Sequence, residues 1–437
     1  MTSGPIPAGG RAVNLPDTVS GTNRFLRILG TYSAAGLACH VTTIAASFIV
    51  LKWVGPDAMG AWCQLVILEG YLGVARLGIL SAMNREYPFL LGRGEREAAA
   101  AVRAVAAAFV LTLSTALLTF FGGIAAWKLL LGRADAAGWA AMAIVAPCAV
   151  FQSFLEASIR GGQGFSRMLG SQVVGAVAAL VTLPLVAVLG YPGFLTRAAG
   201  LAVLGVGMLV SMQPVQAKPR WNATVFQSLL RQGLLLSIFN WLHTAGTTMP
   251  RQMLAWFGGE KLLGLFAPVN AVINLGVVAA ANIAVVFMPM QNETLGRTAD
   301  ESLVARRALL GTAVAAVALM PPAVAAYFLA APAISAWLPK YAAVAPQIGS
   351  AAPLMVFGSL RIASTAYASL KLWRTLAWTN TGYFAAASVI PFLWLACDRE
   401  DSLRATVASL YAINILHAVL SVTPLLRIAH LQAPWLR

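Results

Sequence analysis

Charged and amide side chains lie inside stretches of this sequence that are otherwise apolar, and they recur there at helical spacing. Glu69 and Arg76 stand seven residues apart in one such stretch, which places both on one face of an α-helix, about two turns apart. A second stretch repeats polar residues at steps of three and four, one stripe of a helix: Asn240, Thr244, Thr247 and Arg251. Polar groups within apolar helices usually face a protein interior or water, so these residues predict the lining of an internal cavity.

Arginine gives the strongest chemical signal in this set. A guanidinium group stays charged, so Arg76, Arg251 and Arg361 each require an anionic partner or water. Two helical turns are too long for a direct salt bridge from Arg76 to Glu69 unless both side chains extend. The alternatives are a partner on a neighbouring helix, or contact with water and substrate. Glu156 and Arg361 occupy corresponding positions of an internal repeat, and they could pair or act as a switch.

The histidines leave two interpretations open. His40, His243 and His417 lie in apolar stretches, where an imidazole either makes a structural hydrogen bond or relays a proton. We therefore keep four residues as candidates for proton or ion coupling: Glu69, Glu156, His40 and His243. No His or Cys cluster has metal-ligand spacing, and no phosphate-binding loop or nucleophile elbow is present in the sequence. The sequence predicts neither a metal, nor a cofactor, nor an enzyme.

Composition decides the class of protein. Hydrophobic residues make up 59% of the 437 residues, charged residues 10%, and the mean hydropathy is +0.76. Such a chain cannot keep its apolar surface from water by forming soluble domains, so we predict an all-α polytopic membrane protein. The 30 Lys and Arg against 15 Asp and Glu fit basic cytoplasmic loops rather than a nucleic-acid partner. The four cysteines show no C-x-x-C spacing and predict no disulfide framework.

About 20 apolar residues are needed to cross the hydrocarbon layer, and that length predicts twelve spans. They are 28–52, 60–82, 104–127, 138–159, 168–189, 194–213, 232–257, 262–289, 308–330, 342–366, 378–397 and 404–426. Nineteen Lys and Arg fall in the tails and loops on the N-terminal side and eight on the other side. This asymmetry predicts that both termini are cytoplasmic.

An internal repeat divides the predicted spans into two sets of six. The polar stripe of the first span matches that of the seventh, with His40 corresponding to Thr244 at an offset of 204 residues. In the eighth span Asn270 and Asn274 correspond to Gln64 and Glu69 of the second. The predicted organisation is a tail (1–27), a six-helix bundle (28–213), a cytoplasmic linker (214–231), a second six-helix bundle (232–426) and a tail (427–437). The two bundles are expected to be pseudo-symmetric about a central cavity.

Three short sequences carry a resemblance to a known family. They are the G-P-x-x-x-G turn from Gly55 to Gly60, the segment L-G-I-L-S-A-M-N-R-E ending at Glu86, and P-F-L-L-G-R-G-E from Pro88. With the twelve-span layout, they resemble polysaccharide transporters of the O-antigen flippase type. These belong to a superfamily that also contains multidrug and toxin extruders and lipid II flippases, and the lipid II flippases commonly have fourteen spans.

The resemblance implies a function and a set of site residues. Such a protein would turn over an undecaprenyl-pyrophosphate-linked oligosaccharide in the bacterial inner membrane, for O-antigen, capsule or exopolysaccharide synthesis, among membrane lipids and other polysaccharide-assembly proteins. In such transporters cationic cavity residues would hold the pyrophosphate. By position, the resemblance assigns this role to Arg76, Arg251 and Arg361. The other predicted cavity residues are polar: His40, Glu69, Asn240, Thr244, Thr247, Asn270 and Asn274.

Two other functions compete with this one. A multidrug or small-molecule exporter of the same superfamily would share the layout, but an excess of Arg over carboxylate in the cavity disfavours cationic drugs, because like charges repel in a low-dielectric pocket. A polytopic polymerase or ligase for O-antigen would generally place catalytic residues on a long periplasmic loop, whereas the longest outer loop predicted here is about ten residues.

Overall fold

The computed structural model describes residues 35–161, 165–213, 218–298, 300–370, 372–398 and 401–431. Within these ranges the chain is almost entirely helical and contains no β-strand, which confirms the all-α prediction. The predicted N-terminal tail (1–27), the beginning of the first span, residues 214–217 of the linker and the last residues of the C-terminal tail lie outside the described ranges.

Fifteen α-helices are described. They are α1 (Ala35–Val50), α2 (Pro56–Leu72), α3 (Ile79–Gly92), α4 (Arg96–Leu130), α5 (Ala136–Gly161), α6 (Phe165–Val181), α7 (Leu183–Leu189), α8 (Tyr191–Ser211), α9 (Ala223–Leu265), α10 (Ala267–Thr298), α11 (Glu301–Trp337), α12 (Ala345–Ala351), α13 (Leu360–Ser369), α14 (Trp373–Cys397) and α15 (Ser402–Leu431). Short 3₁₀ segments at Gly73–Arg76, Pro339–Val344 and Ala352–Ser359 connect several of them.

Ten helical segments of the described ranges are long and apolar enough to cross a membrane, so the chain is a multi-pass membrane protein. They coincide with ten of the twelve predicted spans. The first predicted span is represented by the shorter apolar helix α1, and the seventh lies within α9, which is not among the ten. The helix α9 contains the polar stripe from Asn240 to Arg251 and is less apolar than the other long helices.

The second predicted span is broken where a continuous helix was expected. Helix α2 ends at Leu72, a 3₁₀ turn follows, and α3 starts in a new direction at Ile79. Leu77 and Gly78 have left-handed φ angles of 49° and 75°, a conformation that glycine adopts without a steric penalty. A Cβ at Gly78 would also overlap the carbonyl oxygen of Gly233 on α9. The break therefore positions Arg76 at the end of the 3₁₀ turn and brings the chain against α9.

One end of the molecule, where α1 connects to α2 and α9 connects to α10, is tightly closed; we call it the closed end. A single apolar core there combines side chains from both predicted bundles, including Val54 and Tyr341. The buried Tyr341 hydroxyl donates a hydrogen bond of 3.1 Å to the Val54 carbonyl. A Cβ at Gly60 would overlap the carbonyl of Glu260, and one at Gly264 would overlap that of Pro56. Backbones therefore touch directly across the closed end.

Toward the opposite end, which we call the cavity end, the buried core separates. One cluster includes residues of α2 to α6 and α8 together with Leu229 of α9, and another combines α11, α13, α14 and α15. Helix α9 begins at Ala223, inside the segment predicted as a linker, and Asn222 caps it by accepting a bond from the Val225 amide. The first turns of α9 thus pack on α2 to α6 and α8, which we call the first set of helices. Further along, α9 reaches α11, α13, α14 and α15, which belong to the second set.

Candidate functional site

A cavity of about 330 Å³ lies between α2, α3, α5 and α9, toward the cavity end. The 3₁₀ turn after α2 and the beginning of α3 form one wall, the last turns of α5 form a second, and the polar stripe of α9 forms a third. The polar residues in its lining are Glu69, Arg76, Ser81, Asn84, Ser153, Arg160, Ser237, Asn240, Trp241 and Thr244. Four residues predicted from the sequence, Glu69, Arg76, Asn240 and Thr244, therefore share one polar space.

Arg76 and Glu69 form an ion pair inside this cavity. The Arg76 Nη2 donates to Glu69 Oε1 at 3.2 Å, and the two side chains are 33% and 25% exposed. Of the alternatives that the sequence leaves open, the described conformation has the direct pair, which requires extended side chains. Side chains on a helix lean toward its N-terminus, so the long Arg76 side chain runs back along α2 and spans the two turns. Its Nε is buried and has no hydrogen-bond partner among the described residues.

Arg160 supplies a second cation that the sequence did not single out. It lies in the last turn of α5, lines the cavity, and has a buried Nε with no acceptor in the described part of the chain. In the sequence it resembles a loop charge that sets topology, because it stands at the end of an apolar stretch. The sequence signal that could have identified Arg160 is Glu156, a predicted polar residue one helical turn earlier, since positions i and i+4 lie on the same face of a helix. Of the charged side chains that line the cavity, two are cationic and one is anionic, and the Glu156 carboxylate lies near Arg160 outside that lining.

The α9 wall is polar and held in place. Asn240 and Thr244 are exposed to the cavity, and the Thr244 hydroxyl donates back to the Asn240 carbonyl at 3.0 Å. The Trp241 Nε1 donates to the Tyr71 carbonyl on α2 at 2.9 Å. This bond fixes the indole ring against α2. The ring presents a flat apolar surface beside the Asn240 amide and the Thr244 hydroxyl.

The indole hydrogen bond permits a test of how α2 and α9 are held together. We expect Trp241→Phe to destabilise the protein by about 1 kcal/mol, because an aromatic ring remains while one neutral hydrogen bond to the Tyr71 carbonyl is lost. Chemical denaturation in detergent, followed by intrinsic fluorescence, would measure this change. Trp378→Phe is the matched control, since Trp378 is 77% exposed and its loss should change stability little.

The two other predicted arginines lie apart from this cavity. Arg251 Nη2 contacts the Thr248 hydroxyl at 3.4 Å, and the lining of the cavity does not include Arg251. It lies within electrostatic range of Tyr71 and Tyr383. Arg361 is exposed on α13 and is likewise absent from that lining. The stripe that contains Arg251 is continuous in sequence, but only its first two members, Asn240 and Thr244, line the cavity.

The remaining predicted residues are distributed over other helices. His40 is half-buried on α1, and Thr247 is exposed on α9 with its hydroxyl bonded to the Thr244 carbonyl at 2.7 Å. Asn270 is half-buried and Asn274 exposed on α10. None of these four lines the cavity. Glu156 is half-buried on α5, and His243 belongs to an aromatic cluster described below.

No metal site emerges from the described residues, among which no group of three or more His, Cys, Asp or Glu could hold an ion. The groups that line the cavity suit binding: guanidinium groups for an anion, and amide, hydroxyl and indole groups for a polar ligand with flat faces.

Comparison with known proteins places the fold. No family model and no curated protein matches the chain, but solved structures do. The inward-facing conformation of a multidrug resistance MATE family transporter of the MOP superfamily superposes with a TM-score of 0.71 at 15% identity, covering 92% of this chain and 99% of the other. The chain has the MATE fold. The outward-facing conformation of a multidrug resistance MATE family transporter superposes with a TM-score of 0.67, also at 15% identity, over 93% of this chain and 96% of the other.

A third solved structure has the same fold. It is a MOP superfamily transporter from Pyrococcus furiosus, described as having a binding pocket of reversed polarity that suggests a different function, with a TM-score of 0.68, 15% identity and coverage of 93% and 96%. The fold agrees with the superfamily that the sequence resembles. At these identities the likeness concerns the fold alone, so the O-antigen flippase branch stays a prediction.

Proposed function

We propose that this protein is an alternating-access transporter that moves an undecaprenyl-pyrophosphate-linked oligosaccharide across the bacterial inner membrane. The observation that supports this most strongly is the pair of arginines in the cavity lining, since Arg76 and Arg160 each keep a buried Nε without a partner among the described residues. A pyrophosphate leaving water needs cations to replace its hydration, and guanidinium groups do this with paired hydrogen bonds. The Glu69 carboxylate holds Arg76 until the phosphate competes for it.

The rest of the lining suits the glycan part of such a substrate. Asn84, Asn240, Ser81 and Ser237 offer donors and acceptors for sugar hydroxyls, and the fixed Trp241 ring offers a surface for a sugar ring. A cavity of about 330 Å³ is too small for a long oligosaccharide, so the headgroup and first sugars would occupy it while the lipid tail stays in the bilayer. Arg251 and Arg361 would contact the substrate in a different conformation.

The direction of transport follows from the predicted orientation. With both termini cytoplasmic, as the distribution of Lys and Arg favours, the closed end faces the periplasm and the cavity end faces the cytoplasm. This arrangement would be ready to receive a substrate made on the cytoplasmic side. Membrane lipids and other polysaccharide-assembly proteins are the partners that this function implies.

The alternative function is export of multidrug-type small molecules, which is what several structures with this fold are named for. The cavity charge opposes cationic compounds, because Arg76 and Arg160 outnumber Glu69. A membrane enzyme that polymerises or ligates glycans is a second alternative. It would need catalytic side chains presented to the periplasm, and the segments that connect the described helices at the closed end are short.

A deletion strain separates the three functions. For the proposed flippase, we expect loss of surface glycan and accumulation of lipid-linked repeat units that stay inaccessible to a glycosidase added from the periplasmic side. Accumulation of accessible but unjoined units would instead identify an enzyme acting after translocation. Normal surface glycan with increased sensitivity to small-molecule drugs would identify an exporter, and either result would overturn the proposal.

A further inference from the structure

Three aromatic side chains that can exchange or donate protons meet inside the second set of helices. They are His243 on α9, Tyr383 on α14 and His417 on α15. The ring centroid of Tyr383 lies 5.0 Å from that of His243 and 4.6 Å from that of His417, and the two imidazole centroids are 5.4 Å apart. We call them the His–Tyr–His cluster. His417 and Tyr383 are each 5% exposed, and apolar neighbours such as Ile413 and Met249 surround the rings. The cluster is distinct from the cavity lined by Arg76.

The two imidazoles are left with unused polar atoms. Nδ1 of His243 and Nε2 of His417 are buried, and neither has a hydrogen-bond partner in the described part of the chain. Native interiors pair nearly all such atoms, and each exception requires an explanation. These two atoms are explained if each nitrogen is free in the conformation described here and binds a proton in another conformation.

The electrostatic surroundings of the cluster are cationic. Arg361 on α13 acts on His243, and Arg251, two turns further along α9, acts on Tyr383. The remaining titratable groups that act on these rings are the rings themselves, and no carboxylate of the described residues is among them. Metal cations such as Na⁺ and Ca²⁺ prefer several oxygen ligands, which this cluster does not offer. A proton is the cation that fits two bare imidazole nitrogens.

Helix α9 connects the cluster to the substrate cavity. His243 directly precedes Thr244, and Asn240 lies one turn earlier, so one helix presents the cluster on one face and the cavity wall on another. At Gly246, α9 packs directly on α14, where an added Cβ would lie 2.7 Å from the Tyr383 ring. A displacement of α9 from α14 at this point would therefore move the cavity wall as well.

We propose that the His–Tyr–His cluster is the proton-binding site of this protein, and that proton entry displaces α9 from α14 and α15. The inference rests on the proposed alternating access but not on the identity of the substrate. A proton on either imidazole places a positive charge beside Arg361, Arg251 and the second imidazole in a water-poor interior, where like charges repel strongly. Protonation thus favours a conformation in which the rings separate and become hydrated. By linkage, lower pH shifts the population away from the conformation described here.

Spin labels across the cavity end report this shift without any substrate. We would replace the four native cysteines, introduce A98C and R374C at exposed positions of α4 and α14, and measure distance distributions by pulsed electron resonance in lipid nanodiscs at pH 8 and pH 5. We expect two distance populations whose ratio changes about tenfold or more between these pH values, since a tenfold difference in proton affinity between conformations produces a shift of that size per site.

The variants H243Q and H417Q, singly and together, should reduce or abolish the pH response, while H40Q should retain it because His40 lies on α1 outside the cluster. The single variants decide the matter if the double variant fails to fold. A ratio that does not depend on pH in the parent, or a response that survives in both single variants, overturns the proton site. Surface glycan is scored separately in the same strains. A transporting parent without a pH response refutes only the proton site, and a responsive parent without glycan transport refutes only the proposed substrate.

Discussion

Replacing both cavity arginines, Arg76→Ala with Arg160→Ala, should reduce glycan translocation by about 100-fold or more. Charge-assisted hydrogen bonds contribute about 1.5–3 kcal/mol each, and each 1.4 kcal/mol corresponds to about tenfold in affinity. Each single substitution should therefore cost about tenfold or more. Translocation would be measured as surface glycan in the complemented deletion strain, with protein levels in the membrane measured in parallel.

Matched variants separate substrate binding from structure. Arg93→Ala with Arg96→Ala removes two exposed arginines near the same end of the molecule, and this pair should retain most of the activity. Arg76→Ala combined with Glu69→Gln removes the ion pair without leaving a carboxylate alone, so recovery of full activity in that variant would mean that Arg76 only neutralises Glu69. Lysine at both positions should restore part of the activity, because an ammonium keeps the charge but loses the bidentate geometry. Normal glycan display by the double alanine variant at normal abundance is incompatible with the proposed function.

Replacing Gly264 or Gly60 with Leu should prevent the closed end from forming. An added side chain at either position would overlap a carbonyl of the facing backbone, and backbone cannot move aside as a flexible side chain does. Overpacking typically costs about 1–3 kcal/mol even where neighbours can adjust. A penalty of about 3 kcal/mol on the closed conformation shifts the equilibrium toward opening by roughly 100-fold. Transport should fall correspondingly, because alternating access needs both conformations.

Spin labels at Arg133 and Lys340, two exposed positions in connections at the closed end, would measure the opening as a longer distance population. Gly123→Leu is the matched control, since Gly123 lies in α4 and an added Cβ there meets no other atom within 4 Å. It should leave both the distance and the transport unchanged. Gly264→Leu with a parental distance distribution and normal glycan would show that the backbone contact is not part of the gate.

The location of the spans and of the first polar face was predictable from local patterns. Runs of about 20 apolar residues are sufficient to identify a membrane helix, and a seven-residue spacing is sufficient to place Glu69 and Arg76 on one face. Both inferences use only residues that are close in sequence. The direct ion pair stayed one of several alternatives because it depends on how far each side chain extends, which spacing alone does not specify.

Arg160 and the break after α2 could not be predicted from local sequence patterns. Arg160 terminates an apolar stretch, so its sequence context is that of a topological loop charge, and only the packing of α5 beside α2 and α9 brings it into the cavity. The left-handed turn at Leu77 and Gly78 packs directly against the backbone of Gly233, about 150 residues away. Arg251 shows the converse: its stripe has the correct period, but the cavity ends before it.

Hydrophobicity and helical periodicity are properties of neighbouring residues, so the order of residues is sufficient to predict a helical membrane protein with polar and cationic residues inside its spans. The packing of the helices shows which of those polar faces meet, which end of the molecule is closed, and which two histidines share one interior cluster. Lipid makes every membrane helix apolar on its outside, so helix pairing depends on close packing of small residues and on a few polar contacts between distant segments. Those contacts become visible only when the helices are placed together.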